Sequence, residues 1–176
     1  MMNILIVVDM QNDFVSGSLA TKEAKDIVPR VVDKINNFDG EVIYTRDTHF
    51  DNYLNTSEGK KLPIEHCIKD SFGWEIVSPV KELVGDSKII DKPSFGSTEL
   101  PKIVKIINNS GNIDSITLIG LCTDICVLSN ALILKAAFPE TEIIVDASCC
   151  AGTTVQNHNT ALNALAPCQV EVINRI

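Results

Sequence analysis

Four short stretches of this sequence carry residue types that can do chemistry. Cys126 lies in Gly-Leu-Cys-Thr-Asp-Ile-Cys-Val, where a β-rich run gives way to a helical pattern. Near a helix start, backbone N–H groups and the helix dipole favour a thiolate, the reactive form of cysteine. The same N–H groups can hold an oxyanion. Taken alone, Cys126 reads equally as a nucleophile or as a small core residue. Asp9, in Val-Val-Asp-Met-Gln-Asn-Asp-Phe, is a carboxylate at a strand end. It suits a general base or a plain turn residue. Lys92, in Asp-Lys-Pro-Ser-Phe, follows another buried run, and Pro93 favours extended backbone at Lys92. An ammonium there stabilises negative charge on sulfur; a solvated lysine is the alternative.

The fourth stretch suits a metal. Asp47-Thr-His49 puts two side chains on one side of an extended segment, because side chains alternate with period two. The polar segment that follows adds Glu58 and His66. Two imidazoles and two carboxylates suit zinc, with iron and manganese as alternatives. Two of the three histidines fall in this segment. The third, His158, reads as structural or solvent-facing.

The elements that must position these residues alternate in period. Runs rich in Ile, Val and Leu recur at Ile4–Val8, Glu41–Arg46, Lys88–Asp91, Ser115–Gly120, Thr141–Asp146 and Val170–Ile173. Nearly continuous apolar runs of this length predict strands of a parallel sheet buried on both faces. Helical spacing appears over Lys22–Phe38, Thr98–Asn108, Asp124–Phe138 and Thr153–Leu165. Ser97 or Thr98 is placed to cap the second of these, with Pro101 in its first turn. Strand–helix alternation predicts a three-layer, doubly wound α/β fold. In such sheets ligands bind beyond the carboxyl ends of the strands, where Asp9, Asp47, His49, Lys92 and Cys126 all fall. The stretch 47–71 breaks the rhythm, and a loop that long is usually functional.

With 176 residues, the chain is expected to form one domain over 1–176, including a metal-binding loop over 47–71. A net charge of −8 argues against nucleic acid as a partner. No apolar run reaches the roughly 18 residues of a membrane span. No basic leader precedes the first apolar run, so the expected location is cytoplasmic. The six cysteines read as free thiols, including the adjacent Cys149 and Cys150. No Walker or GxGxxG loop and no GxSxG elbow occurs.

The motifs above, together with Leu-Pro-Ile-Glu-His-Cys, stand in the order found in cysteine hydrolases of the isochorismatase-like superfamily. The resemblance runs from about residue 3 to the end. It implies a six-stranded parallel sheet of order 3-2-1-4-5-6 and a triad of Asp9, Lys92 and Cys126. It also implies a non-proline cis peptide before Cys122, with the N–H groups of Cys122 and Cys126 facing an oxyanion. The metal motif resembles the nicotinamidase-like branch. There Asp47, His49 and His66 match ligand positions, and Glu58 matches a glutamate variant of a site that elsewhere uses a histidine where Asn55 stands. Phe14 matches a substrate-binding aromatic. Leu62-Pro63 replaces a second aromatic, for which Trp74 or Tyr53 is the candidate substitute.

The activity implied is a metal-containing amidohydrolase, converting nicotinamide to nicotinate and ammonia through a thioester on Cys126, in NAD salvage. Alternatives are another small amide or N-carbamoyl hydrolase of the superfamily, and a metal-free isochorismatase-like hydrolase. A binding module that has lost activity ranks last. The partners implied are a small amide substrate and further copies of the chain, as a dimer or tetramer.

Overall fold

The computed structural model describes residues 2–108, 111 and 113–175. In chain order the elements are β1 (Met2–Val8), α1 (Asn12–Val15), α2 (Lys22–Asn36), β2 (Glu41–Asp47), α3 (Ser57–Lys61), α4 (Ser78–Lys81), β3 (Lys88–Lys92), α5 (Leu100–Asn108), β4 (Ile113–Leu121), α6 (Leu128–Ala137), β5 (Glu142–Ala151), α7 (Val155–Leu165) and β6 (Glu171–Ile173). The six strands form one sheet of order β3-β2-β1-β4-β5-β6. All five pairings are parallel. The doubly wound α/β architecture expected from the sequence is the one observed.

The apolar runs explain the layers. In β1, Ile4, Ile6 and Val8 face one core, with Leu100 and Val104 of α5, Leu134 of α6 and Leu162 of α7. Leu5 and Val7 face the other, with Ile27, Val31 and Ile35 of α2 and Val80 of α4. Alternate residues therefore need covering on both sides, which is why the run is apolar throughout. In α2 the buried positions fall at helical spacing, and Thr21 caps the helix through Ala24 N–H. Each such side chain contributes roughly 1.5–3 kcal/mol on burial. Ser97 Oγ accepts from Leu100 N–H at 3.2 Å, as its position before Pro101 suggests.

Three elements differ from the sequence reading. The helix expected from Asp124 begins as a π-helical turn over Thr123–Val127, and α6 itself starts at Leu128. Strand β5 runs on to Ala151, past an irregularity where Leu118 pairs with Val145 but Gly120 pairs with Cys150. The stretch 47–71 is partly ordered by a 3-10 turn at Tyr53–Asn55 and by α3, which Thr56 caps through Gly59 N–H. No helix among the described residues is long and apolar enough to cross a membrane.

β1 and β4 are neighbours whose crossovers wind in opposite directions, which opens a crevice at their carboxyl ends. Gly120, at the end of β4, has φ +113, and a Cβ there would strike the Val8 carbonyl of β1. Only glycine lets the two strands approach this closely at that point.

Candidate active site

The crevice gathers one residue from each of three strand ends and one from the turn after a fourth. β1 ends at Val8, and Asp9 turns the chain with φ +48, a left-handed conformation that Asp tolerates better than most residues. Asp9 N–H donates to the Thr45 carbonyl at 3.2 Å, and Thr45 Oγ1 donates to Asp9 Oδ1 at 2.6 Å. Lys92, the last residue of β3, points its ammonium inward. Its Nζ lies 2.7 Å from Asp9 Oδ2, 3.4 Å from Cys126 Sγ and 3.4 Å from Asp47 Oδ1. Asp9, Lys92 and Cys126 are 0%, 1% and 4% exposed. The three residues thus meet, out of bulk water.

Their protonation follows from burial and charge. Burial raises the Asp9 carboxyl above the usual range, although the Lys92 ammonium pulls it down. Burial works against the Lys92 charge, but Asp9, Cys126 and Asp47 outweigh it and push its pKa well up. Burial and the Asp9 carboxylate together push the Cys126 thiol well up, with Lys92 opposing. Cys126 therefore rests as a protonated thiol beside the Asp9 carboxyl and the Lys92 ammonium. Burial outweighs the favourable position of Cys126, which sits in a π-helical turn rather than at a regular helix start. Asp9 Oδ2 meets the Lys92 ammonium at 2.7 Å, and the Asp9 carboxyl also lies within hydrogen-bond reach of the Cys126 thiol.

Beside this group, one nitrogen or oxygen from each of Asp47, His49, Glu58 and His66 lies within 4.8 Å of the others. His49 Nε2 is 3.1 Å from Asp47 Oδ2 and 3.6 Å from Glu58 Oε1. His66 Nε2 is 3.6 Å from both carboxylates. His66 Nδ1 donates to the Ile64 carbonyl at 2.9 Å, which leaves the Nε2 lone pair for a cation. Burial and the facing Asp47 carboxylate push the Glu58 carboxyl up, a repulsion that a divalent cation between them relieves. Two imidazole nitrogens and two carboxylates are a donor set that fits zinc.

Several residues that hold this arrangement escaped the sequence reading. Past the Asp9 N–H, the backbone after β1 turns away from β2, and the Gln11 side chain takes over. Its Oε1 accepts from Asp47 N–H at 2.7 Å, and its Nε2 donates to the carbonyls of Asp47 at 2.8 Å and Trp74 at 2.9 Å. Asp13 Oδ2 accepts from Cys67 N–H at 2.7 Å, next to His66. Asn130, 0% exposed and one turn beyond Cys126, donates to the Cys126 carbonyl at 2.8 Å. The only signal in the sequence was the polarity of Gln11, Asn12 and Asp13 straight after an apolar strand.

A cavity of about 690 Å³ opens onto Cys126, Asp47, Glu58 and His66. Phe14 lines it and packs at a tilt against His66, at a centroid distance of 5.8 Å. Trp74 and Tyr53 are not on its wall. Trp74 lies under the Arg46 guanidinium, 3.5 Å from its ring centre, and donates to Thr48. Tyr53 packs behind His49 and His66. Leu62, Phe95 and Ile125 add to the apolar wall, with Leu19, Ala24 and Pro93. Asn55 is not among the four converging residues. Cys122 follows a cis peptide bond from Leu121 and lines the same cavity. Burial pushes its thiol up to about 12. Its carbonyl accepts from Ile125 and Val127 N–H, which turns those two donors away from the cavity. All six cysteines are free thiols.

The chain is similar along its whole length to a solved pyrazinamidase of Pyrococcus horikoshii in complex with zinc. Identity is 25%, the TM-score is 0.83, and 99% of this chain and 100% of that one are covered. It is 23% identical to the nicotinamidase of Saccharomyces cerevisiae, over 82% of this chain and 87% of the relative. It is 25% identical to the nicotinamidase of Schizosaccharomyces pombe, over 97% and 92%. The family model described as the isochorismatase domain matches residues 3–176, so the chain belongs to the isochorismatase family.

Proposed function

We propose that this protein is a metal-containing cysteine amidohydrolase of the nicotinamidase kind, acting on a small ring-bearing primary amide, nicotinamide first. The observation that carries the reading is the meeting of Asp9 and Lys92 with Cys126, which lines a cavity that Asp47, Glu58 and His66 of the Asp47–His49–Glu58–His66 group also line. The relatives named above support the choice of an amide.

The chemistry divides among the residues as follows. Asp9 takes the Cys126 proton, and the Lys92 ammonium stabilises the sulfur anion so formed. The sulfur attacks the amide carbonyl, and the backbone N–H groups of Cys122 and Cys126 hold the oxyanion. Asp9 returns its proton to the amide nitrogen, ammonia leaves, and a thioester remains. Asp9 then takes a proton from water, which attacks the thioester; the acid departs and the thiol is restored. Phe14, Leu62, Phe95 and Ile125 offer the ring apolar surface. A divalent cation held by Asp47, His49, Glu58 and His66 supplies a Lewis acid for a ring nitrogen, orienting the substrate. Zinc fits the donor set, with iron and manganese as alternatives. A place in NAD salvage, a cytoplasmic location and assembly into a dimer or tetramer belong to the same reading.

The test is ammonia release by purified protein from nicotinamide, pyrazinamide, an aliphatic amide and an N-carbamoyl amino acid, with bound metal measured alongside. The reading expects the ring amides to be turned over fastest by protein carrying stoichiometric metal. Turnover of only the N-carbamoyl compound, or full activity without metal, would overturn it.

A further inference from the structure

The turn that carries the nucleophile is held from behind by the start of α7. Thr123, fully buried, shares a hydrogen bond of 2.8 Å with His158 Nδ1 in the first turns of that helix. The next residue, Asp124, accepts from Thr153 N–H at 2.8 Å and from Thr153 Oγ1 at 2.6 Å. Thr153 Oγ1 in turn accepts from Asn157 Nδ2 at 2.9 Å. Two adjacent residues of the Cys122–Cys126 turn are therefore fastened to one helix start. The approach is so close that a Cβ on Gly152 would come within 2.8 Å of His158 N and 2.9 Å of Asp124 Oδ1. Such a contact forces a shift, so glycine is required there for close packing.

We infer that His158 is a positioning residue for the reaction, acting through Thr123 to fix the backbone N–H groups of the Cys122–Cys126 turn where the oxyanion develops. Among the described residues no side-chain hydrogen bond or ion pair joins it to Cys126 or to the metal quartet, so its link to the reaction runs through Thr123. What it governs is geometry, and misplacing a catalytic group by about 1 Å costs on the order of 100-fold in rate. Burial and Arg175 hold the imidazole below its usual pKa, with Asp124 opposing, so the ring is neutral at pH 7 and one nitrogen carries no proton. The inference rests on the amidohydrolase reading above.

Three variants and three readouts test it: H158A, the near-isosteric T123V, and H158N, whose amide returns a hydrogen-bonding atom near the Nδ1 position. H158A and T123V are expected to lower kcat on nicotinamide about 10- to 100-fold with KM little changed. The double variant is expected to lose no more than either alone. H158N is expected to recover most of the rate. Affinity for the aldehyde analogue of the substrate, whose adduct with Cys126 carries the oxyanion, falls in step with kcat. The rate of Cys126 alkylation by iodoacetamide stays at the wild-type value. Losses that multiply in the double variant, alkylation that falls with kcat, or kcat within twofold of wild type would each overturn the inference while leaving the amidohydrolase standing. If unmodified protein neither releases ammonia nor binds the aldehyde, the functional reading fails first and the inference falls with it.

Discussion

Asp9, Lys92 and Cys126 show how burial alters the role each side chain can play. A free cysteine near neutral pH is partly ionised, but this one is shielded from water and faces a carboxylate, so it rests as a thiol. In the proposed reaction Asp9 is the proton acceptor. D9N keeps the shape and removes the base. It is expected to lower kcat by about 10²–10⁴-fold and to slow iodoacetamide labelling of Cys126 with it. Labelling at the wild-type rate would assign Asp9 a purely structural part. Gln11 belongs to the same scale. Its amide replaces the peptide unit that β1 no longer offers to Asp47, so Q11L loosens one ligand of the metal quartet. Outer contacts of this kind affect metal affinity by about 10–100-fold. Titration of the metal-free protein with zinc against a chromophoric chelator should show a Kd raised by that factor. Asp9 and Cys126 were legible in the sequence because motifs carry them. Gln11 was not, because its role depends on where β1 turns away, and no periodicity records a single φ of +48 at Asp9.

At the scale of elements, periodicity located all six strands and the four main helices, since each apolar face must find a partner. It failed where backbone pairing outlasts the apolar pattern. The apolar run ends the expected strand at Asp146, yet residues 147–151 continue β5 beyond its irregularity. There Asp146 faces α2 and accepts from Lys34 at 2.9 Å, Ser148 at 2.8 Å and Asn174 at 3.1 Å. Burial would raise this carboxyl, but the three donors prevail and hold it below its usual value. A folded-state pKa that is depressed gives stability present above the unfolded value of about 4. That stability is lost as pH falls through the folded value. D146N is expected to cost on the order of 2 kcal/mol at pH 7. The gap from wild type should close as urea midpoints are followed down toward pH 2. A gap independent of pH would mean that shape, not charge, is what Asp146 contributes. In the Gly120 contact, a Cβ meets backbone at a positive φ. G120A is expected to cost at least about 1–3 kcal/mol by the same assay.

Across the whole molecule, the doubly wound sheet gathers groups far apart in sequence, from Asp9 to Cys126, at one crevice. The order of strands was legible only through family resemblance, because neither composition nor spacing states which strand lies beside which. The aromatic wall was misassigned for a related reason. Trp74 and Tyr53 are near the site in sequence terms, but tertiary packing commits one to Arg46 and the other to the histidines. A ligand that binds only the folded quartet must also stabilise the whole chain. Zinc at 100 times its Kd adds about 2.7 kcal/mol, and chelation removes it. Thermal melts with zinc and with chelator should differ accordingly, and coincident melts would argue against a metal in the quartet. The account as a whole turns on one sulfur. Steady-state ammonia release from nicotinamide by Cys126→Ala, set against the unmodified protein at equal metal content, tests it most directly. The expected result is loss of turnover to the assay background in a variant that still folds and still binds zinc. Turnover by that variant at a rate near that of the unmodified protein would contradict the account.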